Sequence, residues 1–483
     1  MSFGNSASQR WLALYILCLG DLMIVLDTTI VNVALPSIRT DLHFTETALV
    51  WVVNAYLLTF GGFLLLGGRL ADLFGNRRVF LAGLAVFTVA SLACGLATTQ
   101  ALLVTARAVQ GVGGAVVSAV ALALIMNAFT EPGERAKAMG VFGFVSSGGG
   151  SIGVLLGGWL TGSLSWHWIF LVNIPIGIAV YALCRALLPD DRGMKNAPRL
   201  DVAGAITVTA SLMFAVYAVI NGNEVGWLSA ATTWKAGAAI ALLVAFLIIE
   251  SRVSAPLMPL SLFRLRSVST ANIVAVLWAA GMFAWFFISA LYLQLVLGLG
   301  PMQVGLAFLP ANIIMAICSL GISAKLVMRF GIRGPLAVGL LLAAGGLLLF
   351  ARAPTMGNVW MDVIPAMSLL GIGAGIAFNP LLLAAMNDVP ASDSGLASGM
   401  VNTSFMMGGA LGLAVLASLA AARTTVVASQ ATIQGLGAGE ALNAGYHLAF
   451  GAGAAFVILA ALIAVAVFRK GTQTAATAPV APH

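Results

Sequence analysis

LDTTIVNVALP, Leu26 to Pro36, decides the class of this protein. The stretch lies toward the outer end of a long apolar run that begins at Trp11 and reads as one membrane-crossing helix. It nevertheless carries a carboxylate, Asp27, and a second acid, Asp21, stands six residues earlier. An acid in hydrocarbon costs roughly 2.5–3.5 kcal/mol on insertion scales, so intramembrane acids are read first as functional.

The rest of the chain supports a membrane reading. Of 483 residues, 61% are hydrophobic and only 8% charged, and the mean hydropathy is +1.04. Soluble domains carry about 25% charged residues, which excludes that class. A bilayer span takes about 20 apolar residues. Apolar runs predict fourteen spans, near 11–34, 49–70, 79–97, 101–127, 137–162, 168–188, 200–221, 233–251, 268–297, 303–328, 332–352, 359–385, 395–421 and 447–468. The runs are continuous, not alternating, which argues against a β-barrel.

Charge placement tests that count. With both termini cytoplasmic, eighteen Lys/Arg fall inside and four outside (Arg39, Lys235, Arg352 and Arg423), with Arg107 within a span. This obeys the positive-inside rule. The net charge of +7 therefore reports topology, and no nucleic-acid partner is expected. Ten mostly polar residues lead into the first run without a small-residue cleavage site, so the first helix reads as uncleaved. Cys18, Cys94, Cys184 and Cys318 all lie in apolar runs and read as core residues, not disulfides.

Several activities lack sequence support. None of the five lysines is followed by Ser or Thr, so no Walker A loop exists. Metal-binding spacings such as CxxC and HExxH are missing, as is a Gly-x-Ser-Gly element. No cofactor, no metal and no enzymatic reaction is expected.

The chain also echoes itself. Leu70, Phe74, Gly75 and Arg77 recur as Leu326, Phe330, Gly331 and Arg333, an offset of 256 residues. Gly149, Gly150 and Gly153 match Gly408, Gly409 and Gly412, at an offset of 259. Two near-equal offsets predict parallel six-helix halves with two helices inserted between them, an architecture typical of transporters.

Four stretches, in order, give the sequence a resemblance to the major facilitator superfamily, and within it to the fourteen-helix drug/proton antiporters. LDTTIVNVALP is similar to that subfamily's first-helix motif, and GRLADLFGNRR from Gly68 to the superfamily's loop between helices 2 and 3. LVTARAVQGVGGA from Leu103 resembles the fourth-helix motif through Arg107, Gln110, Gly111 and Gly113. GGSIGVLLGG resembles the fifth-helix antiporter motif through Gly149, Gly153, Gly157 and Gly158. WHWIFLVNIPIG and LYLQLVLGLGPMQVGLAFLP add to the likeness. Two departures stand out: Leu73 and Asn76 occupy usually basic positions, and Val154 replaces a proline.

The expected architecture is an all-α integral membrane protein of the major facilitator fold. It comprises a cytoplasmic N-terminus (1–10), a six-helix bundle (11–188), two inserted helices with their loops (189–267), a second six-helix bundle (268–468) and a cytoplasmic tail (469–483). By helix geometry, Asp21 lies roughly 15 Å into the first run and Asp27 about 9 Å beyond it. Asp21, Thr28 and Asn32 share one stripe, whereas Asp27 points about 120° away from Asp21. A buried carboxylate can hold either a proton or a cation. With Arg107, the one cation placed within a span, the two acids form the expected coupling set. The resemblance implies a gating role for the loop residues Gly68, Asp72, Gly75, Arg77 and Arg78.

Candidate cavity-lining residues are Thr28, Asn32, Trp51, Asn54, Tyr56, Gln110, Trp285, Phe286 and Tyr292, because aromatic faces attract cations. Met406 and Met407 add an adaptable wall. The segment 251–267 holds Leu257, Met258, Leu260, Leu262 and Phe263, which either enter the membrane interface or pack on the bundle.

The expected function is proton-coupled export of hydrophobic, cationic drugs or antibiotics across the cell membrane. The expected partners are a lipophilic substrate, protons and membrane lipids, with the protein acting as a monomer. The alternative is a lipid or amphiphile transporter with weak or no proton coupling. A non-transporting membrane receptor is a third class; its expected mark, an appended soluble domain, is not seen in the sequence.

Overall fold

The structure, a computed structural model, describes residues 7–189, 200–390, 393–434 and 437–468. Most of the expected N-terminal segment and the whole of the tail from 469 lie outside the described residues. Among the described residues, fourteen helices are long and apolar enough to cross a membrane, and there is no strand.

The first half consists of α1 (Ala7–Leu42), α2 (Glu46–Phe74), α3 (Asn76–Gly95), α4 (Gln100–Ala128), α5 (Pro132–Ser163) and α6 (Trp168–Leu187). Two further helices follow, α7 (Val202–Val225) and α8 (Ala230–Arg252). The last six are α9 (Arg266–Val296), α10 (Pro301–Phe330), α11 (Arg333–Phe350), α12 (Val359–Met386), α13 (Ser394–Gln434) and α14 (Ala438–Val467).

Helix starts follow local chemistry. Thr45, Thr99 and Ser229 each turn a side-chain oxygen onto the backbone N–H three residues on, at the heads of α2, α4 and α8. These hydroxyls satisfy donors that a helix start otherwise leaves orphaned. Pro132 and Pro301 open α5 and α10, where a missing N–H costs nothing.

The departure from the expected limits that bears on the acids is in α1. It runs through Pro36 to Leu42 instead of ending near residue 34. Membrane helices tolerate proline because neighbouring groups re-satisfy the freed backbone. Asp21 and Asp27 consequently straddle the midpoint of a 36-residue helix, and Asp27 is not near its outer end.

Packing arranges the chain in two sets. Helix α1 lies against α4, α5 and α6, while α4 also holds α2 and α3. Correspondingly, α9 lies against α13 and α14, and α11 against α12 and α14. The sets meet along α5–α10 and α2–α13, and the α7–α8 hairpin rests on α2 and α13 through α7.

The internal echo has a backbone counterpart. Gly75 (φ 91°) and Gly331 (φ 72°) both adopt positive φ at a helix junction. Each donates its N–H to the carbonyl four residues back, Ala71 and Val327. Only glycine takes this conformation without a Cβ penalty. Likewise Gly153 presses on Leu26 of α1, and Gly412 on Ala280 of α9.

The linker between α8 and α9 resolves one open reading. Leu257 and Leu262 are 5% and 8% exposed, and Leu257 packs with Leu66 and Ala205. Its apolar side chains turn into the bundle. All four cysteines are buried and free.

Candidate functional site

The most charged point of the interior is the crossing of α1 and α4. Arg107 Nη1 lies 2.5 Å from Asp27 Oδ2, with the two side chains 1% and 0% exposed. The same nitrogen donates to Gln110 Oε1 at 2.7 Å, and Arg107 Nε donates to the Val52 carbonyl at 2.9 Å. Gln110 sits one turn along α4 from Arg107, so their side chains reach the same spot. Its Nε2 donates to Asp27 Oδ1 at 2.7 Å and to Ser91 Oγ at 2.8 Å. Asn173, from α6, donates a further bond to Asp27 Oδ1 at 3.1 Å.

Asp27 is thus held by a guanidinium and two amides supplied from α4 and α6. Tyr56 covers the guanidinium from one side, 4.4 Å from Arg107 Cζ to the ring centroid, and Phe170 stands 5.6 Å away. Charge-assisted bonds of this kind are about twice as strong as neutral ones. In a low-dielectric core, however, they mainly offset the desolvation of both ions.

Asp21 also turns toward α4, nearer the start of α1. It is 3% exposed, and Ser118 Oγ donates to its Oδ1 at 3.3 Å. Arg107 and Ser118 are eleven residues apart, which places them within about 20° on one face of α4. A single face of α4 therefore serves both acids at different depths.

The other expected residues divide. Thr28 and Asn32 satisfy their polar atoms on the backbone of α1 itself. Asn54 reaches across to the second set, donating to the Ala410 carbonyl at 2.8 Å. Trp51 meets Tyr217 of α7 at 5.8 Å, and Met407 clusters with Val208 and Phe246. Those two face the inserted hairpin. Met406 lies against Gly61 where α13 crosses α2. Trp285 and Phe286 do meet, at 4.3 Å, with Phe286 stacked on Phe308. Tyr292 is buried and donates to the Pro354 carbonyl at 2.8 Å, a tie within the second set.

At the α2–α3 junction, where only Gly75 separates the helices, Asp72 in the last turn of α2 is exposed and Arg77 at the start of α3 donates to the Arg185 carbonyl at the end of α6. Arg78 borders an apolar groove of about 360 Å³ with Leu70 and Phe74. Gly68 faces open space, while Gly75 needs its positive φ. Along α5, Gly149, Gly153 and Gly157 press on Leu22, Leu26 and Ile30 of α1. Gly158 faces the other way: a Cβ there would stand 2.7 Å from the Pro301 carbonyl oxygen of α10. A Cβ on Gly305 would likewise stand 2.9 Å from the Val154 carbonyl oxygen.

Where α1 and α9 end, an open hollow of about 650 Å³ is bordered by Ser37, Thr40, Asp41, His43 and Gln294, among others. Gln294 also donates to the Val33 carbonyl at 2.9 Å, joining the two sets at its base.

Ser91 and Asn173 were not singled out by the sequence reading. Asn173 lies inside WHWIFLVNIPIG, a stretch noted for its likeness alone. A lone amide in an apolar helix was the available signal. Ser91 gave none, because serine is common in membrane helices.

Comparison with known proteins places this geometry in a family. The family model for the Major Facilitator Superfamily matches residues 17–413. The puromycin resistance protein of Streptomyces alboniger is 38% identical over 97% of this chain and 93% of its own. The cephamycin export protein of Amycolatopsis lactamdurans is 39% identical over 87% of each chain. The lincomycin resistance protein of Streptomyces lincolnensis is 36% identical over 85% and 84%. Among solved structures, a bacterial homolog of the human lysosomal transporter Spinster, inward-facing and unoccupied, aligns with a TM-score of 0.65. It covers 96% of this chain and 98% of that one at 16% identity, a likeness of fold alone. With a matching family model and relatives above 30% identity across most of its length, the chain belongs to the major facilitator superfamily and is a multi-pass transporter of the cell membrane, not an enzyme.

Proposed function

We propose that this protein exports hydrophobic, cationic antibiotics or drugs in exchange for protons, with Asp27 as the proton carrier and Arg107 as its counter-charge. The observation that carries the reading is the buried Arg107–Asp27 pair, 2.5 Å apart and shut off from solvent. A transporter needs an internal charge whose state alters helix packing, and this pair ties α1 to α4. Protonation of Asp27 cancels the attraction and leaves Arg107 to Gln110 and the Val52 carbonyl. The α1–α4 contact then loosens, and the two helix sets can rock about α5–α10 and α2–α13.

In this cycle Asp27 takes a proton from outside while substrate leaves, and releases it inward as substrate binds. Asp21, which meets the same face of α4 nearer the start of α1, is the acid assigned to attract the cation. Exchange of one proton for one monovalent cation moves no net charge, so the pH difference drives it, at about 1.4 kcal/mol per pH unit. Relatives named for resistance to puromycin and lincomycin and for export of cephamycin support a drug-export reading.

The test uses purified protein in liposomes with a lumenal pH dye and a fluorescent lipophilic cation. Substrate-triggered proton flux in the wild type that Asp27→Asn loses supports the proposal. Substrate movement without any proton response overturns the coupling and favours the uncoupled amphiphile transporter.

A further inference from the structure

The α7–α8 hairpin ends on the α9 side in a second buried group of acids that the transport reading does not use. Asp201 stands just before α7 and is 4% exposed; Glu250 closes α8 and is 3% exposed. Each spends one oxygen on a backbone N–H. Asp201 Oδ1 accepts from Gly204 at 2.8 Å, capping α7, and Glu250 Oε2 accepts from Met258 of the linker at 3.2 Å. Each also keeps one buried oxygen, Asp201 Oδ2 and Glu250 Oε1, with no hydrogen-bond donor. The two side chains lie within hydrogen-bonding reach of each other.

Buried carboxylate oxygens without donors are costly, on the order of 1–3 kcal/mol each and more when charged. Native structures rarely leave them so. Among the described residues, the elements packed here carry the cations Arg69 on α2, Arg252 on α8 and Arg264 on the linker. Among the described residues, none of the three hydrogen-bonds or ion-pairs with either acid. Two facing carboxylates without a cation cannot both stay ionised. One proton satisfies both orphaned oxygens at once, as an O–H on one acid donated to the other.

We propose that Asp201 and Glu250 form a second proton-binding site, independent of Asp27, whose shared proton latches the α8–α9 linker onto α2 and α7. The chemistry is one proton taken from solvent, changing the pair from two negative charges to one. With the proton bound, Glu250 keeps hold of the Met258 N–H, and Leu257 stays seated between Leu66 and Ala205. When the proton leaves, the two buried charges repel, and relief comes by admitting water. Glu250 then releases Met258, and Leu257 lifts from its seat. The linker leads directly into α9, so the latch couples proton concentration on that face to the start of the second helix set.

The test reads the seat of Leu257 in the full-length protein. A Leu257→Cys variant and a Ser254→Cys reference, exposed in the same linker, are labelled with a maleimide between about pH 6 and about pH 9. The native cysteines are all buried, and the ratio of the two rates cancels the intrinsic pH dependence of the thiol. The expected ratio rises roughly tenfold with pH. Glu250→Gln, whose amide N–H replaces the shared proton, should hold it low throughout; Asp201→Asn provides the same test should the first variant fail to fold. A flat wild-type ratio, or a Glu250→Gln ratio that still climbs, overturns the latch. Labelling that answers to sodium, calcium or magnesium at fixed pH instead of to protons overturns the proton as the ligand.

Discussion

Arg107 and Asp27 lie 2.5 Å apart with neither side chain more than 1% exposed, and each is held by further partners from α2, α4 or α6. Removing one member of such a pair leaves an uncompensated buried charge. This costs about 3–5 kcal/mol, whereas removing both is far milder. Asp27→Asn and Arg107→Gln should each sharply lower the unfolding midpoint in detergent. The double substitution should recover much of the loss, with a coupling toward the upper end of roughly 0.5–3 kcal/mol. An additive cycle refutes a mutually dependent pair.

Asn173 gives a second test, since its amide reaches both Asp27 and Ser91. Asn173→Ala removes a donor from a buried carboxylate and should cost about 1–3 kcal/mol, with drug efflux from cells reduced several-fold. Asn32→Ala is the control, because that amide bonds only to its own helix backbone. Its expected cost is below about 1 kcal/mol. Equal effects at the two positions argue against a special role for Asn173.

At the α5–α10 contact, Gly158→Ala places a methyl 2.7 Å from the Pro301 carbonyl, and backbone cannot yield as a flexible side chain can. The two helices must separate where they meet. Labelling of a Ser37→Cys reporter, in the hollow at the ends of α1 and α9, should rise several-fold. Gly162→Ala, which faces open space, should leave it unchanged. If both variants behave as wild type, this contact does not control access to the hollow.

The loop glycines separate conformation from function. Gly75→Ala and Gly331→Ala force a Cβ into positive φ and should each cost roughly 1–2 kcal/mol. Gly68→Ala meets nothing within 4 Å and, in a helix interior, should be neutral or stabilising by up to about 1 kcal/mol. A Gly68→Ala protein that is stable yet transports poorly would show that this glycine is needed in another conformation. A protein that transports normally removes it from the gate.

Much was legible in the sequence because the bilayer enforces it. Backbone groups in lipid must bond within their own helix, so hydropathy alone counted fourteen helices and charge alone predicted their direction. The echo at 256 residues marked Gly75 and Gly331, whose shared positive φ is a local property of the chain. The expected limit of α1 near residue 34 failed because it followed the apolar run, whereas the helix continues through Pro36 and the polar Ser37, Arg39, Thr40 and Asp41.

Asp27, Arg107 and Gln110 could be chosen as residues, but not as a cluster, because their contacts span eighty residues of chain. Trp51 and Met407 were chosen by residue type, and only the fold brings the α7–α8 hairpin into contact with both. Ser91 and Asn173 gained their place only when α3 packed on α4 and α6 on α1 and α3. Sequence by itself determined how many helices there are, because hydrophobic length is a one-dimensional property. Tertiary structure decided which acid meets which base, because polar atoms excluded from lipid and water take whatever partner the packing brings within 3 Å.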